Sequence, residues 1–224
     1  MSNNYIVSSP GRCGSTFLSA YLHNQYTRRD NINYKFMHIS ELSHLEHKIS
    51  NTIIHIHNIN LLTKICNTAN QIILIRRNPV EVVVSTLIAE QTGVWHFRSK
   101  DFDKNKVDID TYKTKYQNHK FSLDDDIFIK KLHCVCNWYV EAANLENIIT
   151  FNYLEAIDVN KINNKLNLKP MYNLRLTQAQ PFDKWQKIEN AQYFRDFGNK
   201  IFSQYQHQYP DIFPSSDFDI ENHI

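Results

Sequence analysis

At 224 residues with 42% hydrophobic content, the chain is long enough to bury one substantial core. Its 25 Lys and Arg against 23 Asp and Glu leave a net charge of +2, which excludes the strongly basic footprint of a nucleic-acid binder. No apolar run approaches the roughly 20 residues of a membrane span, and a strand pattern from Tyr5 leaves no room for a signal peptide, so a soluble cytoplasmic protein is expected.

The first element is a strand over residues 5–9, followed by a small-residue loop and an apolar helix pattern. A strand, a tight loop and a helix in that order aim backbone N–H groups and a helix dipole at one point, which makes an anion site. The loop resembles a Walker A loop without its lysine. Gly14, Ser15 and Thr16 stand where Gly-Lys-Ser/Thr would be, and the cation, Arg12, comes two residues before the glycine. That displacement argues against ATP chemistry and for another phosphate-bearing ligand.

Strand patterns recur near 34–39 and 52–57, and the second of these carries His55 and His57. Two residues apart on a strand, both face the same side. Ile72 to Ile75 read as a fully buried strand within 71–76. Arg77 follows at its carboxyl end. Asn78 is an N-cap, Pro79 suits the first helical position and Glu81 the third. Val80, Val83, Val84, Leu87 and Ile88 predict an amphipathic helix packed on the sheet, with Ser85 about two turns along.

Phe128, Leu132, Val135, Tyr139 and Ala143 mark a long helix, residues 147–151 a fifth strand, and Phe194, Phe197, Ile201, Phe202 and Tyr205 a last helix. The alternation predicts an α/β fold: one three-layer domain over 1–213, with a central parallel sheet and ligands at the strands' carboxyl ends. The charged, aperiodic stretch 98–126 reads as a lid over the acceptor or a mobile loop, and 214–224 as a frayed tail.

The four cysteines show no disulfide or metal spacing. Cys134 and Cys136 share a helix without facing one another, and Cys66 reads as core. Cys13, at a helix start, reads as a small residue filling the loop rather than a redox thiol. The histidine pairs His44/His47 and His55/His57 are joined by no Cys, Asp or Glu that completes a metal set, so no metal is expected.

The two phosphate-type segments together resemble the cofactor signature of the sulfotransferase family, which uses 3′-phosphoadenosine 5′-phosphosulfate (PAPS). Arg12, Cys13, Gly14, Ser15, Thr16 and Phe17 fall on the last six positions of that family's Pro-Lys/Arg-Ser-Gly-Thr-Thr-Trp loop, which holds the 5′-phosphosulfate. Arg77 with Asn78, and Ser85 eight residues after the arginine, reproduce its 3′-phosphate motif. His57 falls on the histidine of the family's Lys-Thr-His-Leu-Pro strand, the catalytic base, and His55 on the lysine. Tyr153 matches the tyrosine near the adenine, and Phe17 is placed to stack on the base. The segment Asp183 to Lys187 matches the Trp-containing stretch before the last helix. The family's Arg-Lys-Gly clamp has no clean counterpart; Lys184 or Lys187 could substitute for it, but as isolated lysines they read as solvated surface charges.

The resemblance implies sulfuryl transfer from PAPS, leaving 3′-phosphoadenosine 5′-phosphate (PAP), to a hydroxyl or amine of a small molecule, glycan, lipid or peptide, without a metal. His57 would take the acceptor's proton. Arg12 and the N–H groups of Gly14, Ser15 and Thr16 would hold the 5′-phosphate. Arginine at position 12 cannot donate a proton to the leaving oxygen. Family branches with arginine there use a glutamate base, which makes Glu41 the alternative to His57. Two other readings stay open: a P-loop nucleotide kinase or NTPase, which lacks its lysine and its magnesium-binding aspartate here, and a non-catalytic nucleotide-binding relative.

Overall fold

The computed structural model describes residues 3–40, 50–93, 114–116, 118–170 and 184–214. They fall in two compact units, Met1–Arg77 with Trp138–Leu176, and Asn78–Asn137 with Thr177–Ile224.

The first unit is built on five strands: β1 (Asn4–Ser8), β2 (Lys35–Ile39), β3 (Thr52–Ile56), β4 (Gln71–Arg76) and β5 (Ile148–Asn152). All pair in parallel, in the order β2-β3-β1-β4-β5. The α/β fold with a parallel sheet is therefore as expected, and each strand lies within a residue or so of its predicted place. The β-branched runs explain it: β3 is buried along its whole length and β4 over Ile72 to Ile75, as strands covered on both faces must be. The edge strand β2 leaves Lys35, Phe36 and His38 exposed. Helix α1 (Ser15–Asp30) packs on β1, β2 and β3, and α2 (Ile59–Ile65) on β3.

Chain order runs from β1 out to β2, back to β3 and then across to β4, so β1 lies where the winding reverses. Ligands in such sheets bind at the carboxyl ends beside that reversal. The residues expected to carry chemistry leave the sheet there: the loop after β1, His57 after β3 and Arg77 after β4.

With only four glycines in the chain, asparagine supplies much of the turn chemistry. Asn31, Asn51, Asn147, Asn167 and Asn190 all take positive φ, between 50 and 56°, a region asparagine tolerates better than other side-chain-bearing residues. Asn58, Asn78 and Asn152 cap helices through their side chains. The abundance of Asn thus has a structural use that composition alone did not suggest.

The remaining helices are α3 (Pro79–Thr92), α4 (Asp125–Ala142), α5 (Tyr153–Ala156), α6 (Val159–Leu166) and α7 (Ala191–Gln208); α3 and α7 belong to the second unit, α5 and α6 to the first, and α4 has residues in both. The Asn78 cap is present: its side chain accepts from the Val80 N–H at 2.9 Å. The amphipathic expectation for α3 fails, because the helix is buried nearly all round, Glu81 and Ser85 included. Glu81 is satisfied by the Trp185 indole N–H at 2.6 Å, a partner no local periodicity reveals. Ala143 also departs from its expected stripe: α4 ends at Ala142, which is buried, and Ala143 is exposed. Cys66 is half-buried in a short 3-10 turn rather than in the core. The end of the supposed lid is packed. Phe121 is buried, and its N–H donates to the Lys187 carbonyl at 2.7 Å. Residues 98–113 and the tail beyond Pro214 lie outside the described residues. Among those described, no helix is long and apolar enough to cross a membrane.

Gly198 in α7 sits against α3, where an added Cβ would lie 2.9 and 3.0 Å from the Val80 methyls and 3.1 Å from the Phe128 ring. Helix propensity favours Gly198→Ala by about 1 kcal/mol, but overpacking a tight core costs about 1–3 kcal/mol. Gly198→Ala is expected to lower the thermal midpoint, and to become neutral or stabilising in a Val80→Ala background. A midpoint that falls equally in both backgrounds contradicts the packing assignment.

Candidate functional site

The loop between β1 and α1 runs through positive φ at Gly11 (100°), Arg12 (54°) and Gly14 (78°). Gly14 is the N-cap of α1, and no side chain caps that end. With glycine at the N-cap there is no cap side chain to take up the leading N–H groups of the helix, and such an end favours an anion. Gly14 is required on two counts. Its φ disfavours a side chain, and a Cβ there would lie 2.9 Å from Ile157 Cγ2 and 3.6 Å from the Tyr153 ring.

Buried polar groups hold the loop's shape. Ser9 Oγ accepts from the Gly11 N–H at 3.2 Å and donates to Ser15 Oγ at 3.2 Å. Ser15 Oγ meets His55 Nε2 at 2.9 Å. The residue standing in place of the Walker lysine is therefore a buried serine tied inward. Cys13 is fully buried, and its thiol donates to the Gly11 carbonyl at 2.9 Å; it fills the loop, as expected, and any contact it makes to a ligand has to come from its backbone. Thr16 and Phe17 follow on α1, both half-buried.

His57 lies just past the end of β3. Its Nδ1 is 2.9 Å from the Ser9 carbonyl, an acceptor only, so Nδ1 carries the proton and Nε2 holds the lone pair. The Trp138 indole donates to the His57 carbonyl at 2.8 Å and fixes the backbone. Burial pushes the imidazole below its ordinary range; the hydrogen bond to the Ser9 carbonyl opposes this, and the nearby Arg12 charge acts in the same direction as burial. His57 is thus neutral at neutral pH. His55 and His57 face the same side as expected, with ring centroids 4.5 Å apart. His38, which sequence reading did not single out, joins them from β2. It stands opposite His55 in the strand register, with ring centroids 4.8 Å apart.

Arg77 is 5% exposed. Its Nη1 donates to the Arg12 carbonyl at 2.8 Å, and its guanidinium lies 4.1 Å from the centre of the Tyr153 ring. Tyr139 Oη accepts from the Arg77 N–H at 3.0 Å and donates to the Arg77 carbonyl at 3.1 Å. Tyr139 had been legible only as a member of a helix stripe. Arg77 therefore braces the anion-type loop from within the protein.

In the second unit, Lys184 Nζ donates to Ser85 Oγ at 2.8 Å. Of the two lysines expected to be solvated, Lys184 is instead engaged with the motif serine. Next to it, Trp185 is buried under the Arg195 guanidinium, 4.7 Å from its ring centre. Glu41 lies outside the described residues.

No protein-family model and no curated protein matches the chain. Among solved structures, it is similar to mouse sulfotransferase SULT7A1 complexed with PAP, at 14% identity and a TM-score of 0.49, over 94% of this chain and 86% of that one. It is also similar to a sulfotransferase from Alicyclobacillus acidocaldarius, at 10% identity and a TM-score of 0.45, over 98% and 97% of the two chains. Likenesses at this level say nothing about chemistry, which has to come from the chain's own residues.

The loop geometry orders two substitutions. At Gly11 nothing lies within 4 Å of an added Cβ, so Gly11→Ala meets only backbone strain, of order 1–3 kcal/mol. Gly14→Ala meets strain and the overlap with Ile157 together, so it should be the less stable of the two in chemical denaturation. The reverse order contradicts the contact between the loop and Ile157.

Proposed function

We propose that this chain binds PAPS and transfers its sulfuryl group to a hydroxyl or amine of an acceptor. The observation that carries the reading is an anion-type loop whose own carbonyl, that of Ser9, fixes the tautomer of an imidazole beside it. The loop suits a phosphate: it has three positive-φ residues in a row of four and leads into an uncapped helix start.

When bound, PAPS supplies the electrophilic sulfur, with PAP as the leaving group. His57 Nε2 takes the acceptor's proton as the acceptor bonds to sulfur. Arg12 and the N–H groups of Gly14, Ser15 and Thr16 hold the 5′-phosphate, where negative charge grows as its bond to sulfur breaks. Arg12 stays charged throughout, so the proton remains on His57 until it passes to solvent. Arg77 and Ser85 are assigned to the 3′-phosphate by their motif spacing, and the hydrogen bond from Lys184 to Ser85 adds Lys184 to that assignment. Tyr153 and Phe17 are assigned to the adenine on the resemblance.

Because Arg77 also braces the loop, its removal would disturb both phosphate assignments, and Lys184 is the cleaner probe. Calorimetry is expected to show PAP binding tightly and ADP, which lacks the 3′-phosphate, much more weakly. Lys184→Ala should weaken PAP by about 1.5–3 kcal/mol, the scale of a charged hydrogen bond, and leave ADP unchanged. Equal losses for both ligands contradict the assignment.

His57→Ala is expected to cut the rate of PAP release from PAPS, with an acceptor hydroxyl or amine present, by roughly 10²–10⁴, with PAP affinity and thermal midpoint preserved. Retained turnover in a folded His57→Ala protein, lost instead in Glu41→Ala, transfers the role of base to Glu41.

A further inference from the structure

His38, His55 and His57 each offer a ring nitrogen, and these three atoms all lie within 4.8 Å of one another. The arrangement follows from the sheet. His38 pairs with His55 across the parallel β2–β3 ladder, and His57 follows His55 by two residues on the same side. We propose that these three histidines form a binding site for a divalent late transition-metal ion of the zinc class, with three imidazole ligands and a fourth position open to water or an added ligand.

The geometry needs little adjustment. With Zn–N distances of about 2.0–2.1 Å, two ligand nitrogens of a regular tetrahedron lie about 3.4 Å apart. The cluster must therefore contract by at most about 1.4 Å. His38 is exposed on the edge strand, where its ring can swing inward without disturbing the core. The outer shell is already in place: His57 holds the Ser9 carbonyl through Nδ1, and His55 Nε2 meets Ser15 Oγ. Ligating histidines are oriented by such contacts through the other ring nitrogen, and the Ser9 contact leaves Nε2 of His57 as its ligand atom.

The donor set decides which ion fits. Three neutral imidazoles with no carboxylate among the cluster suit Zn²⁺, Co²⁺ or Ni²⁺, whereas Mg²⁺ and Ca²⁺ require oxygen ligands. The Arg12 charge near His57 works against any cation, which favours ions with strong imidazole affinity over weakly held ones. The site does not depend on the proposed activity. One consequence does: if His57 is the base, a bound ion occupies its lone pair and stops turnover.

The experiment is calorimetric titration of the tag-free full chain with ZnCl₂, comparing wild type with His38→Gln, and the visible spectrum after CoCl₂ addition. The expected result is one Zn²⁺ per chain, a tetrahedral Co²⁺ spectrum and no competition from excess Mg²⁺. His38→Gln should weaken Zn²⁺ at least about tenfold, since loss of even an outer-shell partner costs roughly 10- to 100-fold. Its PAP affinity and metal-free thermal midpoint should be unchanged. Absence of stoichiometric Zn²⁺ binding, equal Zn²⁺ affinity in the variant, or effective competition by Mg²⁺ overturns the proposal. Zn²⁺ should also inhibit turnover of wild type far more than that of His38→Gln. Zinc bound at the three histidines with turnover intact would keep the metal site and remove His57 from the role of base.

Discussion

One carbonyl group, that of Ser9, ties the two halves of the site together. It begins the loop that leaves β1, and it accepts the Nδ1 proton of His57 at 2.9 Å. The loop's unusual backbone therefore dictates which imidazole nitrogen is basic. Were the loop to relax out of its positive-φ path, both the anion site and the tautomer would be lost. A non-glycine residue in left-handed conformation costs roughly 1–2 kcal/mol, and Arg12 is such a residue. The hydrogen bond from Arg77 to the Arg12 carbonyl, itself buried and stacked on Tyr153, is of the size needed to offset that strain.

The same economy explains the buried serines. In a loop with a lysine, the side chain supplies the cation directly. Here Ser15 is turned inward between Ser9 and His55, and the positive charge is moved to Arg12. The loop's interior is thus a hydrogen-bonded network of Ser9, Ser15, His55 and His57. A buried network of this kind favours one conformation of the loop.

Much of this was legible in the sequence, for identifiable reasons. The strands declare themselves because buried β-branched runs such as Ile72 to Ile75 have few alternatives. The loop, the Asn78 cap and the His55/His57 spacing are local patterns, and local patterns survive in a linear reading. What was not legible depends on contacts distant along the chain. His38 meets His55 only through the register of two separate strands. Tyr139 looks like a helix-stripe residue until its polar end reaches Arg77, and Trp138, outside that stripe, reaches the His57 carbonyl. The amphipathic reading of α3 failed because Glu81 and Ser85, polar in sequence, acquire the buried Trp185 and the half-buried Lys184 as partners about a hundred residues later.

The central claim, that this loop and His57 form a phosphosulfate site, is tested most directly by a crystal structure with PAP bound. The account predicts the 5′-phosphate oxygens within hydrogen-bonding distance of the N–H groups of Gly14, Ser15 and Thr16. It also predicts that His57 still donates through Nδ1 to Ser9 and turns Nε2 toward the phosphate. A nucleotide seated away from the loop, or an imidazole flipped so that Nε2 binds Ser9, would contradict it.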